Sequence, residues 1–129
     1  IFAASSSKKH HHLPHKILVH FDHASSELKA NEQDALTQLV KALPKVYRLS
    51  ITGYTDNTGQ PTTNNKLARQ RAMSVMNYFI QLGIDKSNLT LNASPLCCYL
   101  TANTTESDRA KNRRTEIIIS TLTNEGIKP

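Results

Sequence analysis

The stretch that decides the fold runs Tyr47-Arg48-Leu49-Ser50-Ile51-Thr52, then Gly53-Tyr54-Thr55-Asp56-Asn57-Thr58-Gly59, then Asn64-Asn65-Lys66-Leu67-Ala68-Arg69-Gln70-Arg71-Ala72-Met73-Ser74-Val75. Tyr47, Leu49 and Ile51 alternate with Arg48, Ser50 and Thr52, a period of two that predicts a strand with one buried face. Gly53 to Pro61, rich in Gly, Asp, Asn and Thr, reads as loop. A helix is predicted from about Asn64 to Leu82, with Gly83 as its stop. At about 100° per residue, Leu67, Ala68, Ala72, Val75 and Phe79 fall on one side and Arg69, Gln70, Asn77 and Gln81 on the other. Arg71 lies four residues from both Leu67 and Val75, inside the apolar arc. A buried guanidinium is costly without an anionic partner and satisfied hydrogen bonds. Asp56, just before the helix, is the protein candidate. Ligands of open α/β sheets bind beyond the carboxyl ends of strands, near the next helix, so Asp56 and Arg71 are placed to flank one small pocket. Two readings stay open. One is a structural ion pair. The other is a site for a zwitterion, its carboxylate on Arg71 and its ammonium on Asp56.

Working outward, Lys16-Ile-Leu-Val-His-Phe21 is a short, partly β-branched apolar run and reads as an interior strand. The patch Asp22 to Ser26 is turn-forming. Leu36, Leu39, Val40 and Leu43 give one amphipathic face to a helix starting near Lys29 or Asn31 and ended by Pro44. Leu89, Leu91 and Ala93 alternate as a third strand. Asn103 with Glu106 resembles a capping box for a short helix through about Lys111. Thr115 to Thr121, containing three consecutive isoleucines, is expected as a last, central strand. The order β-α-β-α-β-α-β predicts an α/β fold, an α+β sandwich of helices packed on a small mixed sheet. Residues 1–15 read as a flexible basic and histidine-rich tether, 16–121 as the domain, and 122–129 as a C-terminal tail.

Composition narrows the function. The chain has 129 residues, about one domain, and 38% are apolar, enough for a packed core. No stretch approaches the ~18–20 apolar residues of a membrane-spanning helix. Two cysteines are too few for a disulfide-dense scaffold or a four-cysteine zinc site. Cys97 and Cys98 are adjacent, so a ring between them would be strained and two thiols are expected. His10, His11, His12 and His15 read as part of a solvated linker rather than a metal cluster, since nothing fixes ligand geometry. The net charge of +6 favours anionic partners without choosing among them. Arg109, Lys111, Arg113 and Arg114 could form a nucleic-acid patch. Interleaved Glu106, Asp108 and Glu116, and the lack of stacking aromatics, favour salt bridging instead, with Arg113 or Arg114 near a glycan or peptide as a further option. No nucleophile elbow, phosphate-cradling loop or His-Glu-x-x-His is present, so an enzyme is not expected.

The segments 53–59 and 64–75 resemble the core motif of the OmpA-like peptidoglycan-binding domains, Gly-His-Thr-Asp followed by Asn-x-x-Leu-Ser-x-x-Arg-Ala-x-x-Val. Asn103 to Glu116 resembles the family's second signature, closing on Arg-Ala-x-Asn-Arg-Arg-x-Glu. Phe21-Asp22 with Ser25 and Leu28 fits the start. The resemblance covers about residues 16–121. It implies noncovalent anchoring to the bacterial cell wall, with a pocket for the diaminopimelate of the stem peptide. On that reading Asp56 meets the ammonium and Arg71 the carboxylate. Asn64, Thr55, Asn57 and Thr58 match loop positions that can add hydrogen bonds, and Asp22 is a weaker candidate. No cofactor and no metal are implied. Tyr54 stands where the family has His, and Ala68 where it has Ser. Ser94-Pro95 replaces the usual aromatic-Gly pair, so contacts from the loop around Cys97 are not carried over. The expected setting is the periplasm or envelope of a Gram-negative bacterium, associated with the outer membrane through an N-terminal anchor such as a removed lipidation segment. The alternative is a scaffold of an envelope-spanning secretion machine or motor, working mainly through protein contacts.

Overall fold

The computed structural model describes residues 13–58, 60–93, 99–123 and 126–128. Its elements are β1 (Lys16–His20), α1 (Ala30–Ala42), β2 (Tyr47–Gly53), α2 (Pro61–Gln81), a 3-10 turn (Lys86–Asn88), β3 (Leu89–Ala93), α3 (Glu106–Asn112), β4 (Arg114–Thr123) and β5 (Gly126–Lys128). The sheet order is β1-β4-β2-β3, with β5 also paired to β4. β4 runs antiparallel to β1 and β2, while β2 and β3 are parallel, joined through α2. The expected mixed sheet and central last strand are therefore present, but β1, expected as an interior strand, lies at the edge of the order, with β4 taking the place between it and β2.

Register puts Ile117 of β4 between Ile17 of β1 and Ile51 of β2. Alternation sends Val19, Leu49, Ile51, Ile117 and Ile119 to one buried face, where Leu36 and Leu39 of α1 and Ala72, Val75 and Phe79 of α2 cover them. Each fully buried aliphatic or Phe side chain contributes about 1.5–3 kcal/mol by leaving water, which makes this layer the main source of cohesion. α2 lies very close to the end of β2. A Cβ on Gly53 would come 1.8 Å from the Ala68 carbonyl oxygen, so only glycine fits there. That contact sets the height of the helix over the strand end and so positions the site.

Several boundaries differ from the expected ones. α2 begins three residues early, because Pro61 at its start has the φ a first helical residue needs and no N–H to lose. It ends as expected on Gly83, at φ +98°, with the Ile84 amide donating to the Phe79 carbonyl (3.0 Å) and the Gly83 amide to the Ile80 carbonyl (3.0 Å). Asn103 is not the cap of α3. Thr105 is, its hydroxyl accepting from the Asp108 amide at 3.0 Å. Asn103 instead sits at φ 67°, its side-chain oxygen accepting from Asn112 Nδ2 at 2.8 Å. The stretch 122–129, expected as a tail, continues β4 to Thr123 and pairs Gly126–Lys128 back onto it. Within the expected tether, Leu13 packs against the core and the His15 carbonyl accepts from the Ile119 amide at 2.8 Å. Residues 1–12, with most of the histidine cluster, and Cys97-Cys98 lie outside the described residues.

Candidate functional site

Two loops and the junction of α3 with β4 meet at the carboxyl end of β2. The β1–α1 loop turns at Asp22 to Ser25, where the Ser25 amide donates to the Asp22 carbonyl at 3.1 Å and Ala24 takes φ 54°. The β2–α2 loop carries Tyr54 to Thr58. The start of β4 pins both: the Arg113 carbonyl accepts from the Phe21 amide at 2.9 Å, and the Arg114 carbonyl from the Tyr54 amide at 2.8 Å. Between them lies a cavity of about 140 Å³, lined by Asp56, Arg71, Arg113, Asn64, His23 and Leu67 among others. It is sized for a residue-like group rather than for a polymer.

Arg71 is only 1% exposed, as its place in the apolar arc predicts. Its partner, however, is not Asp56. Nε donates to the Ser25 carbonyl at 2.8 Å, one terminal nitrogen to the Tyr54 carbonyl at 3.2 Å and the other to the Asp22 carbonyl at 3.0 Å. The guanidinium carbon also stands 5.4 Å from the centre of the Phe21 ring. The side chain thus latches two loops together through neutral oxygens. Burial lowers its pKa to about 10, with the Arg113 charge adding to the fall and Asp56 opposing it. It stays cationic at neutral pH. A guanidinium has five N–H groups. Each terminal nitrogen spends one on a carbonyl, so among the described residues one N–H per terminal nitrogen remains for a ligand.

Asp56, 4% exposed, is tied instead to Arg113. Its Oδ2 accepts from Arg113 at 3.2 Å and its Oδ1 from the Thr58 amide at 2.8 Å. Burial pushes the Asp56 carboxyl up, but the Thr58 amide and hydroxyl and the Arg113 guanidinium outweigh it and hold the pKa below its ordinary value. Arg113 donates onward to Glu106 at 2.7 Å and to the Phe21 carbonyl at 3.2 Å. Burial would lower its pKa, yet Glu106 and Asp56 raise it.

The structure therefore gathers Asp56, Arg71, Asn64, Thr55 and Thr58 around one cavity. Asn57 is exposed and does not line it. Asp22 enters only through its carbonyl. Its carboxylate is 74% exposed and pairs with Lys29 at 3.1 Å. His23 and Arg113 also line the cavity, though the sequence marks Arg113 chiefly as a salt-bridging residue and gives no signal for His23 at this pocket. Of the basic cluster, Arg109 pairs with Glu106, Arg113 with Asp56 and Glu106, and Arg114 with Glu116. These three arginines form a salt-bridged block, while Lys111, the fourth member, is exposed. Arg114 also lies 3.9 Å over the Tyr54 ring, so the residue in the family's His position serves as a stacking platform for the loop. Among the described residues no group of three or more His, Cys, Asp or Glu could hold a metal ion.

A helix-backed mixed sheet with an Asp and an Arg lining one residue-sized cavity is the arrangement expected of the OmpA-like class. The sequence profile of the OmpA family matches residues 20–113, and the chain belongs to that family. It is 36% identical over 107 residues to the probable lipoprotein YiaD of Escherichia coli, covering 81% of this chain and 48% of that protein. It is 37% identical over 81 residues to the peptidoglycan-binding protein ArfA of Mycobacterium tuberculosis, covering 63% of this chain and 24% of that one. The solved C-terminal domain of Helicobacter pylori MotB superposes with a TM-score of 0.74 at 26% identity, over 84% of this chain and 88% of that one. The chain thus spans half or less of the length of these full-length relatives.

Proposed function

We propose that this domain is a noncovalent cell-wall anchor whose pocket takes the diaminopimelate end of a peptidoglycan stem peptide. The observation that carries this is that buried Arg71, each of whose terminal nitrogens has one N–H beyond its described carbonyl bond, lines the same cavity as the ionised Asp56. A carboxylate fits the first as a bidentate acceptor and an ammonium fits the second. Asn64, Thr55 and Thr58 add polar edges to the same cavity. Family membership and a relative named for peptidoglycan binding support the reading. The pocket's charged groups are committed to ion pairs and carbonyl contacts, an arrangement suited to holding a ligand rather than to turnover. The setting that follows is the cell envelope, with attachment to the outer membrane through an N-terminal anchor and service in a larger envelope assembly as further parts of the proposal. Nucleic acid is not an expected partner.

Co-sedimentation with purified peptidoglycan sacculi tests this. Wild type pellets with sacculi, and Asp56→Ala, verified as folded by circular dichroism, stays in the supernatant. A folded Asp56→Ala that pellets like wild type removes the pocket from the account.

A further inference from the structure

Asp56 alone does not present a negative charge to a ligand. Arg113 contacts its Oδ2 at 3.2 Å, and both side chains are almost fully buried, at 7% and 5% exposed. By formal charge that pair is neutral. A neutral pair facing Arg71 would leave the pocket net positive, a site for a plain anion. One group changes this balance. Glu106, on the first turn of α3, accepts from the other terminal nitrogen of Arg113 at 2.7 Å, the shorter of the two contacts. Arg113 therefore bridges two carboxylates, and the trio of Asp56, Arg113 and Glu106 carries one net negative charge. Arg71, whose hydrogen bonds among the described residues go to neutral carbonyls, carries one positive charge beside it. The pocket is a dipole whose two ends match the two ends of a zwitterion.

Resting on the site proposed above, we infer that Glu106 is the residue that sets the pocket's preference for a zwitterionic ligand over a simple carboxylate. Glu106 does not line the cavity. It acts through Arg113, drawing that guanidinium's charge away from Asp56 so that the carboxylate is left to attract a ligand ammonium. Three features give it this role. Arg113 is fixed from a third side by the Phe21 carbonyl at 3.2 Å, so it cannot swing away when a carboxylate is lost. Thr105 caps α3 directly before Glu106, which fixes the helix start that presents it. The competing cation, Arg109, reaches the other Glu106 oxygen at 3.4 Å from a more exposed position, and the hydrogen bond to Asp56 comes from Arg113. Glu106 is itself 63% exposed against 31% for Arg109, so water and salt screen its charge too, and its hold on the pocket comes through the 2.7 Å contact to buried Arg113.

The test compares three short stem peptides that differ in one residue: diaminopimelate, lysine in its place (ammonium kept, distal carboxylate lost) and 2-aminopimelate in its place (carboxylate kept, distal ammonium lost). Wild type is expected to bind the diaminopimelate peptide at least about tenfold tighter than the aminopimelate peptide, since a charged contact is lost with the ammonium. Glu106→Gln keeps an acceptor for Arg113 and deletes the charge. It should weaken the diaminopimelate peptide about three- to tenfold and leave the aminopimelate peptide unchanged or tighter, compressing the ratio by that factor. Asp108→Asn, which removes an equal charge from the same helix without touching Arg113, should move the ratio less than twofold. A Glu106→Gln ratio within twofold of wild type, or an equal change in Asp108→Asn, overturns the inference while leaving the site in place. Failure of wild type to bind the diaminopimelate peptide overturns the site and the inference together.

Discussion

Replacing Arg71 by methionine keeps a long, unbranched stem in the apolar arc and removes only the guanidinium. Three backbone carbonyls, of Asp22, Ser25 and Tyr54, lose their donor at once. A hydrogen bond from a charged group contributes a net of about 1.5–3 kcal/mol, and a neutral one about 1 kcal/mol. The desolvation that lowers the Arg71 pKa offsets part of the sum, and the adjoining cavity lets water reach some of the freed oxygens. The balance predicts a loss of about 3 kcal/mol. With a urea m-value of ~2 kcal/mol/M for a domain of this size, the unfolding midpoint should fall by about 1.5 M. Arg71→Lys keeps the charge but offers one nitrogen to oxygens on two separate loops. It should lose about half as much stability and still lose bidentate ligand binding. Equilibrium urea unfolding, followed by circular dichroism, measures both. A midpoint shift below about 0.3 M for Arg71→Met would refute the view that this side chain ties the loops together. It would leave Arg71 as a ligand group alone.

Gly53→Ala places a Cβ against the Ala68 carbonyl, so α2 must move or the strand end must bend. A loss of about 3 kcal/mol or more is expected in the same unfolding assay. Asn112→Ala strands the Leu100 and Thr101 amides, now bound to its side-chain oxygen at 2.6 and 3.2 Å, and should cost about 2–4 kcal/mol. Ala24→Gly removes a left-handed alanine from the pocket turn and should raise stability by up to about 1 kcal/mol, read as a higher urea midpoint. For Asp56 the sign follows from its lowered folded pKa. Its contribution is complete above the unfolded carboxylate pKa of about 3.9 and is lost as pH falls through the lower folded value. Thermal melts of wild type and Asp56→Asn should therefore differ at pH 6, and the difference should shrink as pH falls below the ordinary carboxylate pKa of about 3.9.

Local patterns in the sequence carried most of the fold. The period-two run of β2, the isoleucines of β4 and the Gly83 stop each act within a few residues, and each appears in the structure. The burial of Arg71 was legible for the same reason, because helical geometry alone puts it among Leu67, Ala68 and Val75. Its partners were not. Backbone carbonyls have no signature in a sequence, whereas Asp56 is a nearby and visible carboxylate. Asp56 in turn found Arg113, which is 57 residues away in the chain and arrives only when β4 takes the centre of the sheet. Pro61 and Thr105 were available as helix-start signals. Pro61 fits the end of a loop equally well, and the spacing of Asn103 and Glu106 also matches a capping box. The three residues of β5 are too few to show a period at all.

The central claim is that this pocket holds the stem peptide through Asp56 and Arg71. Isothermal titration of a diaminopimelate-containing muropeptide into wild type, Asp56→Ala and Arg71→Lys tests it most directly, with each variant first shown to be folded. The account predicts saturable one-to-one binding by wild type and none measurable with either variant. A folded wild type that releases no heat and shows no saturation, or folded variants that bind as tightly as wild type, would contradict it.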